Sequence, residues 1–225
     1  MGIQLQGNGG TIAEVDGTTF RALRVVARPV DYGTLGFYQA APLSGAIAAG
    51  LAANSEILQI RWTDATRFAV LQKITLPGAR ATTAFAAGVI DLDLTIARAF
   101  TAAGTGGATV TLTGNNQKMR TSMGTSLMGE IRVVTTAALG AGTKTLDSER
   151  VGRIVTHSSA GVGAATPIIG SLYLPVYELF EQDAADGEHP IVLATNEGAI
   201  VRATVPGTGV WNVGFVVKWG EVAAY

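Results

Sequence analysis

Hydrophobic and polar residues alternate along two segments of this chain, the pattern of a β-strand that buries one face. In the first segment, polar or small residues separate Ile90, Leu92, Leu94 and Ile96. In the second, residues 211–219, a large apolar side chain occupies every odd position. Both segments are therefore predicted to be strands with one side against a protein core.

Further segments are rich in β-branched or aromatic residues and are also predicted to be strands. They are 20–27, 35–40, 57–62, 68–76, 110–113, 131–135, 151–156, 191–194 and 200–205. No segment of about 12 residues follows the helical period of ~3.6. About eleven short strands with little helix indicate an all-β fold, an antiparallel β-sandwich of the jelly-roll type.

Residues with turn chemistry separate these segments. Pro77-Gly78 and Glu197-Gly198 are two of the predicted turns. Segments 200–205 and 210–219, joined by the four residues 206–209, are predicted to form a C-terminal β-hairpin.

The domain organisation predicted from composition is simple. Residues 1–10 are rich in Gly, Gln and Asn and are expected to form a flexible arm, whereas 11–225 are expected to form one domain. The arm lacks the basic and apolar regions of a signal peptide, and no apolar run approaches the ~20 residues of a membrane-spanning helix.

Composition narrows the function classes. The 225 residues carry a net charge of −1, which provides no electrostatic basis for binding nucleic acid or an anionic membrane. The chain has no Cys, which excludes a disulfide scaffold and a thiol nucleophile. Only 15% of residues are charged while 48% are hydrophobic, so part of the apolar surface is expected to contact other protein copies or partners.

The distribution of charge predicts where such contacts form. No Lys or Arg lies between Arg153 and Arg202, a gap that contains several carboxylates, whereas basic residues dominate the preceding segment 118–153. These regions are expected to attract each other within or between subunits, or to be ordinary solvated surface. The candidate interface residues are Arg61, Trp62, Arg67, Arg132, Arg150, Arg153, Glu178, Glu181 and Asp183.

Candidate chemical sites are few. Asp91 and Asp93 share one face of a strand, as a cation site would require, but no calcium-binding loop follows them and an outward polar face is the favoured interpretation. His157 and His189 are the only histidines, and no nucleophile elbow accompanies them. No catalytic residue, metal ligand or cofactor is predicted.

Two further features have structural interpretations. The segment 104–107 is rich in Gly but lacks the Lys of a phosphate-binding loop, so it is predicted to be a surface loop. Trp62, Trp211 and Trp219 are expected to be core residues or interface anchors in preference to a platform for sugars.

Several segments resemble virion structural proteins of tailed bacteriophages. They are 13–16, 28–33, 61–64, 196–198 and 211–221, and the resemblance extends over nearly the whole chain. It implies a structural role in the particle and supplies no active-site residue. The resemblance implies that the chain is a capsid-associated decoration or cement protein, or a minor head protein, located on the capsid surface.

Such a protein would act by adhesion to other virion proteins, the major capsid protein foremost, as a homo-oligomer for which a trimer is the working hypothesis. The alternative is a tail or receptor-binding component that recognises host glycan through exposed Trp or Tyr. A sandwich-fold hydrolase is a third hypothesis, and it would place a histidine beside a carboxylate in a cleft.

Overall fold

Fourteen strands form the architecture of this computed structural model, which describes residues 35–158, 177–182 and 189–225 and the backbone of 15–16 and 22–23. The strands are β1 (Val15–Asp16), β2 (Ala22–Leu23), β3 (Gly36–Ala40), β4 (Ser55–Trp62), β5 (Phe68–Thr83), β6 (Gly88–Ala102), β7 (Ala108–Thr109), β8 (Met128–Val133), β9 (Thr143–Leu146), β10 (Gly152–Ser158), β11 (Tyr177–Glu181), β12 (Ile191–Leu193), β13 (Glu197–Thr204) and β14 (Val210–Val222). In this described part no helix occurs, so none is long and apolar enough to cross a membrane.

The chain divides into two units, Met1–Asp31 and Tyr32–Tyr225. In the first, β1 and β2 pair with each other in antiparallel register. The predicted arm, residues 1–10, and most of the predicted strand 20–27 lie outside the described residues.

The second unit is a sandwich of two antiparallel sheets. The seven-stranded sheet has the order β10-β6-β13-β4-β8-β7, with β9 pairing with the far end of β6. The five-stranded sheet has the order β11-β5-β14-β3, with β12 also pairing with β5. The predicted antiparallel β-sandwich is therefore confirmed.

The alternating segments place their apolar sides between the two sheets. Ile90, Leu92, Leu94 and Ile96 of β6 and the odd-numbered apolar residues of β14 belong to one buried cluster, as predicted. All three tryptophans are fully buried in it, which explains how a chain with only 7% aromatic residues fills a core between two sheets.

The predicted C-terminal hairpin is wrong. β13 pairs with β4 and β6 in the seven-stranded sheet, whereas β14 pairs with β3 and β5 in the other. Residues 205–209 therefore cross from one sheet to the other. The four-residue spacing suits a hairpin, but β13 buries apolar side chains on both faces and finds its neighbours in strands that are distant in sequence.

The predicted turn at Pro77-Gly78 is also wrong, because both residues lie inside β5. The pairing of β5 with β14 shifts register between Gly214 and Val216, and Pro77 lies at this irregularity. A proline has no N–H to donate to the ladder, so a strand accommodates it where regular pairing is interrupted. Local turn chemistry alone does not distinguish such a bulge from a turn.

Other boundaries differ from the predictions. Glu197-Gly198 begins β13, and the turn precedes it at Thr195 and Asn196. The predicted strand 110–113 is wrong, since the strand here is β7 and only Val110 continues the bonding, to Ile131 O. Neither β9 nor β11 was predicted; β9 has the sequence TKTL, which offers a single large apolar residue.

A buried carboxylate ties the two sheets together near the end of β14. Glu221 is 0% exposed and accepts hydrogen bonds from the Ser126 hydroxyl at 2.6 Å, the Leu127 N–H at 3.0 Å and the Trp219 indole at 3.2 Å. Ser126 and Leu127 lead directly into β8 of the opposite sheet. Burial raises the pKa of Glu221, and burial together with this carboxylate raises the pKa of nearby Tyr38 to about 12.

Replacement of Glu221 tests this arrangement. Because the folded state holds a proton on Glu221 more tightly than the unfolded state, the carboxyl makes stability fall as pH rises from its ordinary value of 4.5 toward the raised value. We expect the Glu221→Gln variant to lack this decrease. Urea unfolding of both proteins at several pH values measures it.

Glu178→Gln is the matched control. The Lys73 ammonium lowers the pKa of Glu178, so any stability from this exposed pair is lost only as pH falls below 4.5. Its difference from wild type should be constant above that pH. A Glu221→Gln profile that parallels wild type between pH 4.5 and 7 would show that Glu221 is not destabilised by burial.

Candidate interaction surface

The outer face of the seven-stranded sheet, which points away from the core, carries a row of alternating charges. Strand register places Arg153 of β10 opposite Asp93 of β6, Asp93 opposite Arg202 of β13, and Arg202 opposite Glu56 of β4. Residues that are directly opposite in adjacent strands lie on the same face. The row therefore crosses four strands with alternating sign.

Asp93 is the centre of this row and is 2% exposed. Its carboxylate accepts hydrogen bonds from Arg202 Nε at 2.8 Å and Arg150 Nε at 2.9 Å, and the Thr95 hydroxyl donates a third at 3.1 Å. Arg202 Nη2 also donates to the Thr95 hydroxyl. A buried carboxylate is tolerated when its oxygens are bonded in this way, and here two cations share it.

Asp91 forms a separate, more exposed pair. Arg153 donates to it through Nε at 2.9 Å and Nη2 at 2.6 Å, a two-bond arrangement that only Arg can supply. These bonds lower the pKa of Asp91. The two aspartates that sequence suggested as a cation site are thus both engaged by arginines, and the interpretation as an outward polar face is supported.

Arg61 and Arg132, also predicted interface residues, lie on the same outer face. Arg61 donates to the carbonyl oxygens of Phe100 and Thr101 at 2.7 and 2.6 Å. Arg132 pairs with Glu130 at 2.5 Å and donates to Gly106 O at 2.6 Å. Register places Arg61 opposite Glu130, and both are on the face that carries Asp93.

The structure brings Arg61, Arg132, Arg150 and Arg153 onto one face but places the remaining predicted residues elsewhere. Glu178 and Glu181 pair with Lys73 at 2.5 and 2.7 Å across β11 and β5 of the other sheet. Within the described chain these acidic residues therefore bind Lys73 in place of the basic segment 118–153. Asp183 lies outside the described residues.

Trp62 and Arg67 are joined to each other at the end of β4. The Trp62 ring is fully buried, so it takes the core role that the sequence left open, and its indole donates to Arg67 O at 2.9 Å. The Arg67 side chain lies 3.8 Å from Asp64 and is substantially exposed.

Exposed apolar residues lie at one edge of the same outer face. Val89 of β6 is 47% exposed and Val155 of β10 is 53% exposed, and register places them opposite His157 and Asp91 respectively. Arg153 and His157 lie on the same side of β10 as Val155. We call the four residues Val89, Arg153, Val155 and His157 the edge patch. Val151, which precedes β10, is also exposed.

Sequence reasoning missed Arg202 and the two valines. Arg202 had a recognisable signal, since it is the one charged residue in the β-branched run 200–205. The valines had none, because an exposed Val and a buried Val look alike until the neighbours of the strand are known.

The contacts of the two histidines bear on the hydrolase hypothesis. Among the residues that the structure describes, neither His157 nor His189 forms an ion pair with a carboxylate, and no three potential metal ligands come together. His189 contacts the Pro190 carbonyl at 2.7 Å and the Tyr225 ring edge-on at 5.2 Å. The Gly-rich segment 104–107 is a loop, as predicted.

Comparison of the chain with protein-family models, with curated proteins and with solved structures finds no match. The resemblance to virion structural proteins accordingly stays an expectation from the sequence.

The central position of Asp93 leads to a comparison of two conservative variants. Asp93→Asn leaves Arg150 and Arg202 facing each other without a balancing charge, so we expect it to lower the free energy of unfolding by about 2–4 kcal/mol. Asp91→Asn should cost less, because its partner Arg153 stays half exposed to water. Urea denaturation at pH 7 and low salt measures both. Equal losses would show that burial does not set the strength of these pairs.

Proposed function

We propose that this chain is a structural protein of a tailed-bacteriophage virion, a decoration or cement protein on the capsid surface that stabilises the particle through protein contacts. The observation that carries the proposal is the edge patch: exposed valines beside an arginine on a sheet whose backbone is held by pairing and by buried charges. Interfaces characteristically combine an apolar centre with Arg.

The stiffness of the surface supports the same proposal. On the outer face, Asp93 and Thr95 of β6 are buried and hydrogen-bonded to each other, and β6 is paired with β10 on one side and β13 on the other. A partner that docks on such a surface loses little conformational entropy in the protein. A particle-bound protein that acts by adhesion gains from this rigidity.

The proposed partners are other virion proteins, the major capsid protein foremost, and further copies of this chain, with a trimer as the working hypothesis. The proposed fold detail is a jelly roll: β13 returns late in the chain to lie between β4 and β6, the kind of long connection that Greek-key sandwiches use.

The alternative is a tail or receptor-binding component that stacks sugars on exposed aromatic rings. All three tryptophans are fully buried, so in the described part of the chain this alternative rests on Tyr225, which is 60% exposed beside His189. Sugar stacking on a broad aromatic platform is therefore less well supported than adhesion through the edge patch.

Self-association is tested by charge substitution in the edge patch. We expect the purified chain to form oligomers, and Val155→Asp to weaken association at least tenfold, because the carboxylate would have to be desolvated in the contact. Met119→Asp is the matched control, since Met119 is 54% exposed but lies outside the patch. Sedimentation velocity over a range of concentrations measures the effect. A wild-type protein that is monomeric throughout would contradict the proposed oligomer.

The location is tested separately by electron cryomicroscopy of the virion that contains this chain. The proposal expects density for the sandwich on the outside of the head, with the edge patch against a neighbouring protein. Density on the tail would favour the receptor-binding alternative.

A further inference from the structure

A lysine, a glutamate and a glutamine form a buried cluster on the outer face of the seven-stranded sheet. The Lys144 ammonium, whose side chain is 2% exposed, lies 2.8 Å from Glu56 Oε2. The Gln59 Nε2 lies 2.6 Å from the same oxygen, and Gln59 is itself 2% exposed. One carboxylate oxygen therefore contacts both an amine and the nitrogen of a carboxamide.

The orientation of the Gln59 carboxamide follows from its neighbours. Its Nε2 donates to Glu56 Oε2 and, at 2.8 Å, to Gly140 O, while its Oε1 accepts the N–H of Gly104 at 3.1 Å. The opposite orientation would put the amide oxygen against two oxygens and its NH2 against an N–H. The carbonyl therefore points at a backbone donor and the amide nitrogen points at the carboxylate.

Gly104 reaches this position because it has no side chain. A Cβ there would overlap the Gly140 carbonyl and contact both terminal atoms of Gln59. The two Gly-containing loops thus close over the carboxamide and bring the Gly104 N–H to its oxygen. A backbone N–H placed there stabilises negative charge that develops on the oxygen during attack at the carbon.

Further contacts hold the Lys144 side chain in place beside Glu56. Its Nζ lies 4.8 Å from the centre of the fully buried Phe100 ring and also donates to Ala141 O. In the proposed reaction, Glu56 Oε2, 2.8 Å from Nζ, accepts one proton from the ammonium, and the resulting amine is the nucleophile. Glu56 can then return that proton to the Gln59 nitrogen, which it already contacts.

We propose that Lys144 and Gln59 form an intramolecular isopeptide bond in the folded protein, with Glu56 as the proton carrier and the Gly104 N–H as the oxyanion donor. The Lys144 Nζ attacks Gln59 Cδ and forms the new amide bond. The bond from Cδ to Nε2 breaks, Glu56 delivers the proton from Nζ to this nitrogen, and ammonia leaves. No oxidant, cofactor or further reactant takes part.

The bond would join two segments that are far apart in sequence. Gln59 lies in the centre of β4, whereas Lys144 lies in β9, a four-residue strand at the edge of the sheet. A covalent link of this kind restricts the unfolded chain as a disulfide does, in a protein that has no Cys.

Mass spectrometry of the intact chain under denaturing conditions tests the proposal. The wild type, kept folded at neutral pH overnight, should be lighter than its sequence by one ammonia. Trypsin should release residues 25–61 linked to residues 133–150. A wild-type chain at its full mass would overturn the proposal. So would a loss of ammonia without these linked peptides, as a succinimide at Asn8-Gly9 would produce.

Three variants assign the roles. Lys144→Arg keeps a cation beside Glu56 but should show the full mass, and Glu56→Gln should slow formation of the link at least a hundredfold. Lys73→Arg is the matched control, because Lys73 also pairs with two carboxylates but lies outside the Gln59 cluster, and it should retain the loss of ammonia. A linked product that forms in Glu56→Gln at the wild-type rate would contradict the role of Glu56.

Discussion

The carboxylate of Asp93 and the two arginines that share it hold together the outer side of the larger sheet. Asp93 lies in β6, Arg202 lies in β13, and Arg150 comes from the segment that follows β9. If one partner were absent, a buried charge would remain unbalanced, at a cost larger than most single contacts contribute. The sheet can therefore bury this face only when all three segments are in place.

The same reasoning explains where the few charged residues of this chain are found. Only 15% of its residues are charged, yet charged side chains cluster on the outer face around Asp93 and Glu56, where polar contacts hold the loops against the sheet. The inner face needs no such pairs, because it is filled by aliphatic residues and tryptophan. Glu221 is the exception, a carboxylate without a cation within ion-pair distance among the described residues, held by N–H and O–H donors.

The sequence predicted most strands because the alternation in segments such as 90–96 and 211–219 directly reflects burial on one side. The sequence was less informative about which strands pair with each other. The short loop after Thr204 suggested a hairpin, but β13 has apolar residues on both faces, and only the positions of β4 and β6 explain that pattern. The arginines of the interaction surface were identifiable by type, whereas their partner Asp93 depended on strand register, which local sequence does not encode.

The contacts on the outer face also constrain how a partner could bind there. Arg150 and Arg202 are committed to Asp93, so their release would leave a buried carboxylate unsatisfied, and Arg61 is committed to backbone carbonyls. Arg153 is different, because it is half exposed and lies beside Val155. A partner at the edge patch would therefore gain mainly from burial of valine side chains, with Arg153 adding a directional contact. Association driven in this way depends only weakly on salt, because burial of apolar surface is not screened as the attraction between exposed charges is.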